Sequence, residues 1–158
     1  MPERTARSGL GFDVHRFSEH RLLWLGGVLF DDEDGLVGHS DGDVVCHAVA
    51  DALLGAAALG DLGEQFPDTD PSLAGIEGRR LLRETVQRVV GAGYAPTSVD
   101  VTVICERPSI APRRDEMRAE VASCLGVSVD KVSVKATRPE GLGLAGDGVG
   151  CLAIATIG

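Results

Sequence analysis

The sequence predicts a mixed β-sheet with helices mainly on one of its faces, within a single domain that spans residues 1–158. Three observations lead to this fold class. Segments with apolar residues at every second position interleave with segments whose apolar residues have helical spacing. Residues that favour turns, above all glycine and proline, separate these segments. The length of 158 residues suits one sizeable core, since domains usually contain about 100 to 150 residues.

The N-terminal part of the chain predicts a strand and a hairpin. Residues 8–17 have apolar side chains at every second position, as a strand requires. Residues 22–30 form a second apolar segment, which Gly26 and Gly27 interrupt, so we expect a strand and a turn there. An acidic surface turn is predicted to follow at residues 31–35.

Residues 43–59 predict a helix, because valine, alanine and leucine recur at helical spacing. Ser40 or Asp41 can cap its N-terminus, and Gly60 can end it. The following residues, 60–71, are rich in glycine, proline and aspartate, and we expect a loop without regular structure.

The remaining elements alternate between helix and strand. Amphipathic spacing predicts one helix at residues 76–90 and another at about residues 113–125. Segments rich in β-branched or apolar residues predict strands at residues 99–104, 132–136 and 151–157. This alternation gives the sheet with helices mainly on one face.

Charge and cysteine usage limit the classes of partner. The net charge of −9 argues against binding to nucleic acid or to an anionic membrane surface, since both require clustered basic residues. No apolar run approaches the ~20 residues of a membrane helix. The four cysteines, which form no CxxC pair, are interpreted as reduced, and we expect a cytoplasmic protein.

Asp13 and His15 form the first candidate site. Residues two apart on a strand project to the same side, so this carboxylate and imidazole can share a metal ion. A polar strand edge with an incidental histidine is the simpler interpretation of the pair taken alone.

A second candidate site lies around the start of the predicted helix, where His39 and His47 occur. Asp43, His47 and Asp51 are spaced along one helical face, so the carboxylates can orient the ring of His47. The alternative is an acidic first turn that only complements the helix dipole. Three of the four histidines fall in these two segments, and Asp13, His15 and His47 together match the ligand set of a catalytic zinc ion.

Two loops can bind substrate groups. Carboxylates and backbone N–H groups at residues 61–70 can hold polyol hydroxyls, although a plain surface loop is equally consistent with the composition. Thr137 and Arg138, at the start of a glycine-rich segment, suit phosphate oxygens, and Glu140 can hold Mg²⁺ at a diphosphate. The alternative for this second segment is a long connection before the last strand.

Four segments of the chain resemble, in order and spacing, the 2-C-methyl-D-erythritol 2,4-cyclodiphosphate synthase family of the non-mevalonate isoprenoid pathway. They are GFDVHRF, HSDGDVVCHAVADALLGAAALGDLGEQFPDTDP, VDVTVICERP and KATRPEGLG, and the resemblance covers nearly the whole chain. It implies an α+β subunit in a homotrimer, with the sheets inside and the active sites between subunits. The implied reaction cyclises 4-diphosphocytidyl-2-C-methyl-D-erythritol 2-phosphate to the 2,4-cyclodiphosphate and releases CMP.

The resemblance also implies roles for individual residues. It assigns zinc to Asp13, His15 and His47, and Mg²⁺ or Mn²⁺ to Glu140 with the substrate diphosphate. Catalytic roles are expected for His39, which the resemblance places at a substrate phosphate, and for Arg138, which stands where the family has a hydroxyl residue. The implied substrate-binding residues are Ser40, Asp61, Gly63, Phe66 and Asp68 on the phosphate and methylerythritol side, and Cys105, Pro108, Ser109, Ile110, Ala111, Ala136, Thr137 and Leu144 elsewhere in the site.

The chain departs from the family pattern at several of these positions. Arg138 and Pro139 stand where the family usually has two hydroxyl residues, and Ser109 stands where a lysine is frequent. Arg138 can therefore supply part of the positive charge that is missing because position 109 is a serine instead of a lysine. Leu144 and Asp147 replace a frequent phenylalanine and arginine that line a central trimer cavity, so we do not expect an isoprenoid diphosphate to bind there.

Two other functions remain open on the residues alone. A metal-dependent phosphohydrolase would use metal-bound water and give a linear product. A metal-stabilised binding module would need a closed structural site, and such sites normally have four protein ligands rather than three.

Overall fold

A computed structural model of the chain describes residues 5–143 and 147–158. These residues form five strands and four α-helices, with three short 3₁₀ turns between them. The strands are β1 Arg7–Leu25, β2 Val28–Leu36, β3 Pro96–Ile104, β4 Val132–Thr137 and β5 Gly148–Ile157. The helices are α1 Val44–Ala57, α2 Leu62–Gln65, α3 Gly78–Gly91 and α4 Arg114–Leu125.

The sheet has the strand order β2-β1-β5-β3-β4. Its neighbouring strands run antiparallel except β3 and β4, which are parallel, so the predicted mixed sheet is confirmed. Helix α1 packs against β1 and β5, α4 packs against β4, and α3 lies on α1. Within the described ranges, no helix has the length and apolar composition that crossing a membrane requires.

Two glycines of β1 let α1 approach the sheet closely. A Cβ atom added to Gly11 would lie 1.9 Å from the carbonyl oxygen of Ala48, and one added to Gly9 would lie 2.0 Å from that of Ala52. No side chain fits between the strand backbone and the helix backbone at these points. The first part of β1 therefore presents Gly9 and Gly11 to α1, and Leu10, Phe12 and Val14 to the opposite face.

The first hairpin differs from the prediction. Strand β1 continues through residue 25, and β2 includes the acidic residues 31–35 where we expected a surface turn. These residues extend along the edge of the sheet, where Glu33 and Asp34 both pair with Arg107, at 2.9 and 3.1 Å. An acidic strand is stable here for two reasons. It lies at the exposed edge of the sheet, and Arg107, which is distant in sequence, supplies a positive charge.

The ends of α1 and the following loop also differ from the prediction. Asp43, rather than Ser40 or Asp41, caps the helix through the N–H groups of residues 45 and 46. The helix ends at Ala57, and its C-cap is Ala58, with a left-handed φ of 56°, instead of Gly60. The predicted irregular loop contains the short helix α2, because Asp61 caps it by accepting from the N–H of residue 64.

Gly11→Ala should push α1 away from β1, because the added methyl group meets a backbone carbonyl that cannot rotate away. We expect the free energy of unfolding to fall by about 1 to 3 kcal/mol, measured in urea at one protein concentration.

Gly55→Ala, in α1 itself, is the matched control, since its Cβ would meet nothing within 4 Å. It should leave the stability unchanged or raise it by about 0.5 to 1 kcal/mol. Equal effects of the two substitutions would contradict the close-packing argument.

Candidate functional site

Asp13, His15 and His47 bring three potential metal-ligating atoms together. Strand β1 supplies Asp13 and His15 from one face, and α1 supplies His47 from its first turn. Oδ2 of Asp13 lies 3.0 Å from Nε2 of His15 and 3.0 Å from Nδ1 of His47, and the donor atoms of the three side chains all lie within 4.8 Å of one another. Ligand atoms of a tetrahedral zinc site are about 3.3 Å apart, so this donor set suits a divalent metal ion.

The ring of His47 is oriented by residues other than those expected. Its Nδ1 faces Asp13 and its Nε2 lies 3.0 Å from the hydroxyl of Ser40. Asp43 is fully buried and accepts hydrogen bonds from four backbone N–H groups instead, and Asp51 accepts from the N–H of Leu62. The expectation that the two helix carboxylates orient the ring was therefore wrong: capping and loop contacts occupy them.

Hydrogen bonds and charges shift the pKa values of Asp13 and His47 in opposite directions. Burial alone would raise the pKa of Asp13, but the hydrogen bonds from His15 and His47 lower it well below its usual range. Burial would likewise lower the pKa of His47, but the hydrogen bond and charge of Asp13 raise it above its ordinary value. An ionised carboxylate therefore stands between two imidazoles, as a metal site with mixed oxygen and nitrogen ligands requires.

The cluster opens into a cavity of about 340 Å³, which we call the metal-side cavity. His39, Ser40, Gly63, Phe66 and Asp68 line it together with the three ligands. Asp61 lines an adjoining cavity that shares Asp13, His47, Leu62 and Gly63. The structure thus brings these sequence-predicted residues to one place.

Two arginines hold the loops around the metal-side cavity. Arg21 donates to the carbonyl oxygens of Gly38 and Ser40. Arg88 donates to the carbonyl oxygen of Gln65 at 2.8 Å, and its guanidinium lies 4.0 Å from the ring centre of Phe66. Sequence reasoning missed both side chains, because each acts on a loop that is distant in sequence.

A second cavity, of about 200 Å³, lies where the parallel strands β3 and β4 end side by side; we call it the strand-end cavity. It shares no lining residue with the metal-side cavity. Its lining consists of Cys105, Pro108, Ser109, Ile110, Ala111, Arg114, Ala136, Thr137 and Arg138. All but one of these residues were singled out from the sequence. The exception is Arg114. In the sequence it is only the second of two adjacent arginines, and nothing else marks it as a residue of this cavity.

Cys105 is the cysteine that lines the strand-end cavity. Burial raises the pKa of its thiol to about 11, so the group is protonated at neutral pH. Burial also raises the pKa of the other three cysteines, and all four are free thiols. None of them has the lowered pKa of an activated nucleophile.

One predicted residue lies away from these cavities. Glu140 is exposed, with a left-handed φ of 54°, and lines neither the metal-side nor the strand-end cavity. Its role in binding Mg²⁺ stays a prediction. Leu144 lies outside the described residues.

Residues 6–158 match the family model of the YgbB family. The chain belongs to this family. It is 56% identical over 153 residues to the 2-C-methyl-D-erythritol 2,4-cyclodiphosphate synthase of Salinibacter ruber, and the match covers 96% of this chain and 98% of that protein. This family membership confirms the resemblance that the sequence motifs indicate.

Solved structures agree in fold. The bifunctional IspDF of Campylobacter jejuni superimposes with a TM-score of 0.93 at 37% identity, over 99% of this chain and 43% of that one. A 2C-methyl-D-erythritol-2,4-cyclodiphosphate synthase solved in a CDP-bound form gives a TM-score of 0.88 at 34% identity, over 96% of this chain and 100% of that one. The mixed sheet with its helices is therefore the fold of the YgbB family.

Binding of a divalent metal should weaken as the pH falls, because the metal must displace the proton of His47. The raised pKa of His47 moves this competition to higher pH than for an ordinary histidine. We expect the Zn²⁺ affinity to decrease steadily from about pH 8 to about pH 6 in a titration against a chromophoric chelator.

His47→Ala should lower the Zn²⁺ affinity at least about a hundredfold, since it removes a direct ligand. His20→Ala, at an exposed position of β1, is the control and should bind Zn²⁺ like the unaltered protein. Retained affinity in His47→Ala would place the metal elsewhere.

Proposed function

We propose that the protein cyclises 4-diphosphocytidyl-2-C-methyl-D-erythritol 2-phosphate to 2-C-methyl-D-erythritol 2,4-cyclodiphosphate and releases CMP. The observation that carries this proposal is the three-residue cluster of Asp13, His15 and His47 at the wall of the metal-side cavity. A three-ligand site leaves a coordination position for substrate, as catalytic zinc sites do. The close relatives bearing the name of this synthase supply the choice of substrate.

The reaction needs positioning and charge neutralisation more than acid–base chemistry. An oxygen of the 2-phosphate forms a bond to the β-phosphorus, and the bond from that phosphorus to the oxygen bridging it to the α-phosphate breaks. CMP leaves with the bridging oxygen. The attacking phosphate is already an anion at neutral pH, since its second pKa is about 6. Holding the two groups in line therefore supplies most of the acceleration.

The residues divide this work between the two cavities. His39 and Ser40 bind the attacked phosphate, while Asp61, Gly63, Phe66 and Asp68 hold the methylerythritol. Thr137 and the other residues of the strand-end cavity hold the nucleotide, and Arg138 offsets charge on the leaving group. Zinc bound by Asp13, His15 and His47 would polarise the attacked phosphate. Glu140 would hold Mg²⁺ at the diphosphate.

A homotrimer with the sheets inside accounts for the exposed apolar face of β1 and β5. Leu10, Phe12 and Val14 are 66%, 45% and 43% exposed on β1, and Leu152 and Ile154 extend the face onto β5. Exposed apolar patches of this kind are typical of interfaces between protein subunits. The proposed active site combines the metal-side cavity of one subunit with the strand-end cavity of the next.

Phosphorus NMR of the reaction distinguishes the candidate functions. With the cytidine substrate and Mg²⁺, we expect a cyclic diphosphate together with CMP, and loss of both products after metal chelation and in His47→Ala. CMP with only a linear product would indicate the phosphohydrolase instead. Absence of turnover by folded protein with bound metal would favour the binding module.

Arg138→Thr should lower kcat/KM about tenfold or more, because it removes a cation from the strand-end cavity. Adding Ser109→Lys should restore part of the activity, since residue 109 lines the same cavity. Steady-state kinetics measure both effects. An unimpaired Arg138→Thr single variant would contradict the assigned role.

Phe12→Glu should break the trimer into smaller species, because it places three carboxylates in the proposed interface. Sedimentation velocity measures the change, and activity should fall with the fraction of trimer. Val90→Glu is the matched control, since Val90 is also apolar and 54% exposed but lies on α3, away from the sheet face. An active Phe12→Glu monomer would exclude shared active sites.

A further inference from the structure

Arg114 lines the strand-end cavity and has an unpartnered donor. It is the first residue of α4, and its Nε atom is buried. Within residues 5–143 and 147–158, its guanidinium makes no hydrogen bond and no ion pair. Buried N–H groups without a partner are rare in folded proteins and cost free energy. A guanidinium without a protein partner in a cavity wall can donate through its terminal amino groups to an acceptor that arrives with a ligand.

The arginines that flank Arg114, Arg113 before α4 and Arg118 within it, both have hydrogen-bond partners. Arg113 forms paired hydrogen bonds with the carboxylate of Glu116, at 2.7 and 2.9 Å. Arg118 donates to Asp115 and to two backbone carbonyl oxygens. The flanking arginines thus have acidic partners, while Arg114 lines the cavity without one among the described residues.

The cavity is suited to an anion. Its lining residues include two arginines, Arg114 and Arg138, and two residues with hydroxyl groups, Ser109 and Thr137. Among the described residues, no aspartate or glutamate lines it, although the chain as a whole carries a net charge of −9. Guanidinium groups bind phosphate oxygens through paired, charge-assisted hydrogen bonds.

We propose that Arg114 is a substrate-binding residue that donates to a phosphate oxygen of the nucleotide in the strand-end cavity. Arg114 and Arg138 then contact the diphosphate from two walls of the same cavity. This inference rests on the proposed function, which supplies a nucleoside diphosphate group as the ligand. It adds a contact that raises the affinity for the phosphate part of the nucleotide rather than for the nucleoside.

Calorimetric titration of the full-length protein with CDP, CMP and cytidine tests the proposal. Arg114→Gln should weaken CDP binding about tenfold or more and leave cytidine binding unchanged, because only the phosphate contact is lost. Arg114→Lys keeps the positive charge without the paired geometry of a guanidinium. Its affinity for CDP should therefore lie between those of the unaltered protein and of Arg114→Gln. Arg113→Gln is the matched control and should bind CDP like the unaltered protein, since Glu116 already occupies its guanidinium.

A structural role predicts different results. Arg114→Met removes the unpartnered donor but keeps much of the side-chain volume, so the free protein should melt at the same temperature or higher while CDP binding weakens. A lower melting temperature with unchanged CDP affinity would identify Arg114 as structural and overturn the proposal. Equal losses for CDP and cytidine would also overturn it, since they indicate contact with the nucleoside. If the unaltered protein binds no CDP, the proposed function fails as well.

Discussion

The contact between the backbone of β1 and the backbone of α1 determines where Asp13, His15 and His47 come together. Gly11 lies two residues before Asp13, and Ala48 directly follows His47. The carbonyl group of Ala48 lies against the backbone of Gly11. This contact fixes the distance between Asp13 on the strand and His47 on the helix. Asp43 secures the same helix from its N-terminus, since its carboxylate joins the first helical turn to the Gly26–Gly27 turn. These contacts of α1 fix the position from which His47 extends toward Asp13.

Much of the fold and the metal-binding cluster could be predicted from the sequence because both follow from short-range patterns. Asp13 and His15 share a face for any strand through these residues, and strand and helix periodicity is local. The apolar alternation of β1 did not reveal which face meets the helix. That depends on glycines next to the polar residues, so Leu10, Phe12 and Val14 are exposed instead of forming the core.

The features that the sequence did not predict depend on partners far away along the chain. The sequence predicts a turn at residues 31–35, whereas the structure has a strand there. Arg107, the partner of this acidic segment, is more than seventy residues away in the sequence. Arg88 and Arg21 act on backbone carbonyls, which leave no mark in the sequence. Arg113 and Arg114 are adjacent and identical in the sequence, yet Arg113 pairs with Glu116 whereas Arg114 lines the strand-end cavity.

The acidic edge of the sheet has a consequence for self-association. Strand β2 is an outer strand, and its unpaired backbone groups are a template on which another chain could add a strand. Four consecutive acidic residues, 31–34, lie on that strand, and identical strands approaching one another would bring like charges together. Only part of this charge is neutralised by Arg107. The acidic residues 31–34 thus protect the protein against edge-to-edge aggregation.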